Sequence, residues 1–169
     1  MFAEILEDAL FAAIAAIGFS AISNPPRNAY YYCAAIAAAG HSLRFVLMHY
    51  TDGIFSIIPA SFVAALVVGV LAVLLSPHAK TPAETFLFPS LLPMIPGIYA
   101  YKTFGGLVMC VLHSGENEFL HYLYLFSYNG LTCLFIIVVM VVGATIPIFV
   151  FKKVSFRATR QDGCDGKID

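Results

Sequence analysis

The feature that most constrains this chain is the length of its apolar runs. A helix crossing the hydrocarbon core of a bilayer needs about 20 predominantly apolar residues. Four stretches meet that requirement, at roughly 5–23, 29–50, 55–76 and 128–151. A fifth, 85–112, is long enough but is cut by Pro89, Pro93, Pro96 and Gly97. Backbone polar groups in lipid must be satisfied within the segment, so runs of this length dictate helices. The expected fold is therefore all-α: a polytopic membrane protein with five transmembrane segments, one of them broken at Pro93–Gly97. The connectors "NPPRN" (24–28), "TDG" (51–53) and "SPHAKTPAE" (76–84) are too short for a soluble domain. Residues 1–151 read as a single transmembrane domain, and 152–169 as a polar tail expected to be disordered.

Composition agrees. Hydrophobic residues make up 60% of the chain, charged residues 11%, and the mean hydropathy is +0.86, far from an ordinary soluble domain. The net charge of -1 gives no electrostatic footprint for nucleic acid, so the lipid bilayer is the expected surrounding and a nucleic-acid partner is not. The N-terminus, "MFAEILEDAL", carries acids where a cleaved leader would carry Lys or Arg. Cys33, Cys110, Cys133 and Cys164 form no CxxC pair and read as reduced, structural thiols.

Five crossings place Arg27, Lys80, Lys152, Lys153, Arg157, Arg160 and Lys167 on one side and Asp52, Glu116 and Glu118 on the other. The positive-inside rule then gives a cytoplasmic C-terminus and an outside N-terminus. Tyr30, Tyr31, Tyr32, Tyr122, Tyr124 and Tyr128 suit interfacial belts. Ala9/Ala13, Ala12/Ala16 and Ala35/Ala39 have the small-xxx-small spacing that allows close helix approach, within the chain or between subunits.

His41 and Arg44 are the polar residues that need explaining. Residues three apart share a helix face. At about 1.5 Å per residue from Ala29, His41 lies roughly 18 Å and Arg44 roughly 22 Å along the second span. An intramembrane Arg costs on the order of 3 kcal/mol, and such charges are usually paired. Every Asp and Glu lies near a span end or in a connector or tail, so the expected counter-charge is water, a partner subunit or a passing anion. The competing reading is that Arg44 snorkels outward and His41 is a packed core residue.

In "FLFPSLLPMIPGIYAYK" (86–102), Pro93 and Pro96 remove backbone donors and disfavour helix at the residues before them. One half-helix is expected to end at about Leu92 and a second to start at about Ile98. Half-helix N-termini in transporters point at anionic substrate groups. Lys102, in the second half, lies at a depth close to that of Arg44. His41, Arg44, Pro96, Gly97 and Lys102 are therefore candidate substrate-binding residues. Asn129, expected at the start of the last span, either lines the same cavity or caps the helix. His113, Glu116, Glu118 and His121 read as a solvated loop and helix start rather than a metal site. No P-loop, GxSxG or HExxH is present, and Ser42 cannot face His41 on a helix, so no enzyme, cofactor or metal is expected.

The ordered set "GF" (18–19), "NPPRN" (24–28), "GHSLR" (40–44), "PMIPG" (93–97), "YNG" (128–130) and "TIP" (145–147) resembles the threonine/serine exporter family. More narrowly, it is similar to the small membrane subunit that some bacteria encode separately, over about Asp8 to Lys153. The resemblance implies export of small carboxylates, threonine and serine in some members and succinate in others. It also implies coupling to the proton motive force, alternating access, a larger partner subunit, a homo- or hetero-oligomeric assembly and a bacterial inner-membrane location. The rival expectation is a non-transporting structural or assembly subunit.

Overall fold

The computed structural model describes residues 2–22, 25–50, 56–79, 81–113 and 115–151. Lys80, Asp52 and the 152–169 tail, invoked above for orientation, lie outside these residues, as does Cys164. Among the described residues the chain is helical throughout, without strands: α1 (Phe2–Ile22), α2 (Ala29–Tyr50), α3 (Ile57–Ala79), α4 (Glu84–Leu91), a 3-10 turn (Leu92–Met94), α5 (Gly97–Leu112) and α6 (Glu116–Val150).

The helices α1 and α2 pair as a hairpin, and α4 with its 3-10 turn packs across both. On its other side α2 meets α3, which in turn packs along α6. The core sits among α2, α3, α4 and α6, where Cys33, Ile36, Val68, Val73, Phe86, Met94, Ile136 and Met140 are buried together. By contrast α5 packs chiefly against α6, and much of its surface is exposed, including Ile98, Tyr101, Phe104 and Val111.

Small residues set the helix spacing. A Cβ on Gly69 would stand 2.5 Å from the Ala144 carbonyl oxygen, and one on Gly143 2.8 Å from that of Phe62, so α3 and α6 touch backbone to backbone. Gly106 does the same for α5 against Phe126 of α6, at 2.9 Å. Such contact is how helices associate in lipid, where apolar burial gives little driving force. Of the alanine pairs, Ala12 and Ala16 are buried, whereas Ala35 and Ala39 are exposed. A polar seam ties the hairpin to α4: Ser20 Oγ donates to Cys33 Sγ (3.6 Å), and Ser90 Oγ to the Cys33 carbonyl (3.0 Å).

Among the described residues, three helices are long and apolar enough to cross a membrane: Ala3–Ile22, Ile57–Ala79 and Glu116–Val150. The number is four if the α4–turn–α5 pair, bent by 53°, counts as one span. With its 22 residues α2 is long enough but carries His41, Arg44 and His49, which lower its hydropathy. The start of the last helix departs from expectation. It begins at Glu116 rather than near 128, so Asn129 and Gly130 lie well inside α6.

Candidate functional site

The break between α4 and α5 follows from its prolines. Ile95, before Pro96, is pushed to φ -59°, ψ 132°, outside the helical region. The 3-10 turn closes with Ile95 N–H donating to the Leu92 carbonyl at 3.1 Å. Carbonyls at the end of a helical segment lack partners in the ladder and must find other donors. The Met94 carbonyl finds Arg44: Nη1 donates to it at 2.7 Å.

Arg44 is also tied on its other side. Its Nη2 lies 3.0 Å from His41 Nε2, and His41 Nδ1 lies 2.5 Å from Asp8 Oδ2. A guanidinium has only donors, so Nε2 accepts and the imidazole proton sits on Nδ1, donated to Asp8. The result is a continuous chain from the Asp8 carboxylate through a neutral imidazole and the Arg44 guanidinium to the Met94 carbonyl. It joins α1, α2 and the helix break. The side chains remain partly accessible, His41 at 19% and Asp8 at 23%.

Asp8 corrects the expectation that the counter-charge of Arg44 lies outside this chain. The acid near the end of the first span reaches the network because α1 and α2 are antiparallel. Asp8 is 16 residues before Asn24, and His41 is 16 after Pro25, so they meet across the hairpin. That equidistance about "NPPRN" was the available signal. The Arg44 guanidinium is turned to the break, where it bonds the Met94 carbonyl and lies beside His41.

The candidate residues fall into two groups. His41 and Arg44 join Met94 at the break, with Pro96 buried beside it. Gly97 opens α5 from an exposed position, and a Cβ there would meet nothing within 4 Å. Lys102 and Asn129 lie together elsewhere, lining a cleft of about 590 Å³ between α5 and α6 with Tyr122, Tyr124 and Tyr128. Asn129 is buried and donates to the Leu125 carbonyl at 2.7 Å, so it caps no helix. Tyr124 and Tyr128 stack at 5.9 Å. The 113–121 stretch is mostly the first turns of α6, where Tyr122 contacts the rings of His113 and His121. Among the described residues no three metal-binding side chains gather.

Long apolar helices, backbone-close crossings and a charged network at a helix break together define a polytopic helical membrane protein. The chain belongs to the threonine/serine exporter family: residues 8–150 match the family described as Threonine/Serine exporter, ThrE. It is 36% identical over 150 residues to an uncharacterized protein of Haemophilus influenzae (strain Rd). That match covers 89% of this chain and 48% of the relative, so the chain spans about half the relative's length. No solved structure matches it.

Proposed function

We propose that this chain is the membrane subunit of a secondary exporter for small carboxylates, working with a larger partner by alternating access and driven by the proton motive force. The observation that carries the reading is the Asp8–His41–Arg44–Met94 network: a guanidinium held at a helix break, beside an exposed helix start at Gly97. The substrate carboxylate binds Arg44 there, with His41 at its side and Pro96 and Gly97 shaping the backbone. Lys102 and Asn129 meet the solute at a second point, in the α5–α6 cleft. Five crossings, with α4–α5 as one broken span, put Arg27 in the bacterial cytoplasm and Glu116 outside. Family membership supports transport over catalysis.

The test is export from bacterial cells loaded with L-serine, L-threonine or succinate. Arg44→Gln is expected to cut export strongly while the protein still inserts. Arg44→Lys recovers part, because an ammonium lacks the bidentate fork that matches a carboxylate. Normal export by Arg44→Gln would favour the scaffold reading, with the pathway wholly in the partner.

A further inference from the structure

The seam between α5 and α6 carries one cation near an end of the bilayer and an apolar groove beneath it. Lys102 is the sole charged residue of α5, and α6 has no Asp, Glu, Lys or Arg after Glu118. Gly106 packs against Phe126 and Gly130 against Thr103, which sets Lys102 across from about residue 130. Glu118 is then about 18 Å away along the axis at about 1.5 Å per residue, too far for an ion pair. Among the described residues Lys102 has no ion-pair partner.

The level of the seam in the bilayer follows from α6. Residues 131–151 carry no charge and extend about 30 Å at about 1.5 Å per residue, the thickness of the hydrocarbon core. Tyr122, Tyr124 and Tyr128, which line the cleft, therefore stand at headgroup level, where tyrosine rings are enriched. Lys102 lies at the same boundary, and its long stem lets the ammonium reach the headgroups. Deeper in the bilayer, a second groove of about 400 Å³ lies between the same helices. It is lined mainly by Ala100, Phe104, Cys133, Leu134, Ile137 and Val138.

We propose that this seam binds one anionic phospholipid, with the headgroup phosphate on Lys102 in the tyrosine-lined cleft and an acyl chain in the apolar groove below it. An ammonium and phenol hydroxyls are donors for phosphate oxygens, and the cleft volume of about 590 Å³ admits a headgroup. A free anion would use the ammonium and leave the groove empty. A zwitterionic headgroup brings its own cation beside Lys102, with no acid there to balance it. The proposal goes beyond the export reading and stands without it. Lys102 then serves either the headgroup or the solute, and the two compete for it.

The experiment uses the full chain, with whatever subunit co-purifies, in mild detergent. It is titrated with phosphatidylglycerol or with phosphatidylcholine of the same acyl chains, and native mass spectrometry counts the lipid retained. Wild type is expected to hold phosphatidylglycerol the more tightly, and excess inorganic phosphate should not displace it. Lys102→Gln should weaken phosphatidylglycerol binding about fivefold, the loss expected of one basic residue at an anionic headgroup. Ala100→Phe, which fills the groove and leaves the charge, should also weaken it. Arg27→Gln, which removes a cation from the turn between α1 and α2, should bind as wild type does. Equal retention of the two lipids by wild type overturns the proposal, and decides the matter even if a variant fails to fold. Displacement by inorganic phosphate overturns it in favour of a free-anion site. Unchanged binding in Lys102→Gln overturns it too, as does an equal loss in Arg27→Gln, which would mark a general effect of charge.

Discussion

Replacing Arg44 by Gln tests whether the network holds the helix break in place. The substitution removes two hydrogen bonds made by a charged donor, at 2.7 Å to Met94 and 3.0 Å to His41. Bonds to charged groups contribute roughly 1.5–3 kcal/mol each. Gln reaches one of the two acceptors with a neutral bond worth about 1 kcal/mol. The partial exposure of His41 and Asp8 puts the estimate toward the lower end. The net loss is then about 2–3 kcal/mol. For a chain of this size about 1 kcal/mol moves the melting midpoint by about 2–4 °C, so the drop is about 4–12 °C. Thermal unfolding of the purified protein in one detergent, followed by the rate of thiol labelling at buried Cys33, reads this directly. A midpoint within about 1 °C of wild type would mean that the bonds contribute nothing to the fold and would refute the reasoning.

Gly143→Leu drives a side chain into the Phe62 carbonyl of α3 and should destabilise by about 1–3 kcal/mol, whereas Gly18→Leu, with nothing within 4 Å of its Cβ, should leave the same melt unchanged. Pro96→Ala restores a backbone donor at the break and should impair export, measured in cells, without reducing the amount of protein in the membrane. In a cysteine-free background, a cysteine at Glu116 should react with an impermeant reagent from outside and one at Lys80 should not; labelling of Lys80 from outside refutes the proposed five crossings.

The helical character was legible because run length alone excludes strands and soluble loops. Family membership was legible in the ordered short motifs, even though no single one is diagnostic. The start of α6 was not, since "ENEFLHYLYLFS" (116–127) mixes acids and a histidine into the run and its hydropathy dips. Helix formation there needs no uniform apolarity: the N-terminal half of α6 packs on α5, with Gly106 against Phe126. Depth along each helix put Arg44 and Lys102 at one level but said nothing about azimuth: Arg44 turns to the helix break, whereas Lys102 lines the α5–α6 cleft. Asp8 escaped because it was judged by its distance from the chain end of α1. Its position across the hairpin was what mattered.

The 35 residues of α6 extend about 52 Å at 1.5 Å per residue. A bilayer hydrocarbon core is about 30 Å thick, and helix tilts reach about 40°. At that tilt the helix still rises about 40 Å, so its ends must stand among headgroups whatever its lean. The same rod is held at one end by α3 and at the other by α5. A thinner or thicker membrane will change its tilt, and with it the angle at which α5 meets the helix break. Bilayer thickness, set by acyl-chain length, is therefore a variable to hold fixed when variants of this protein are compared.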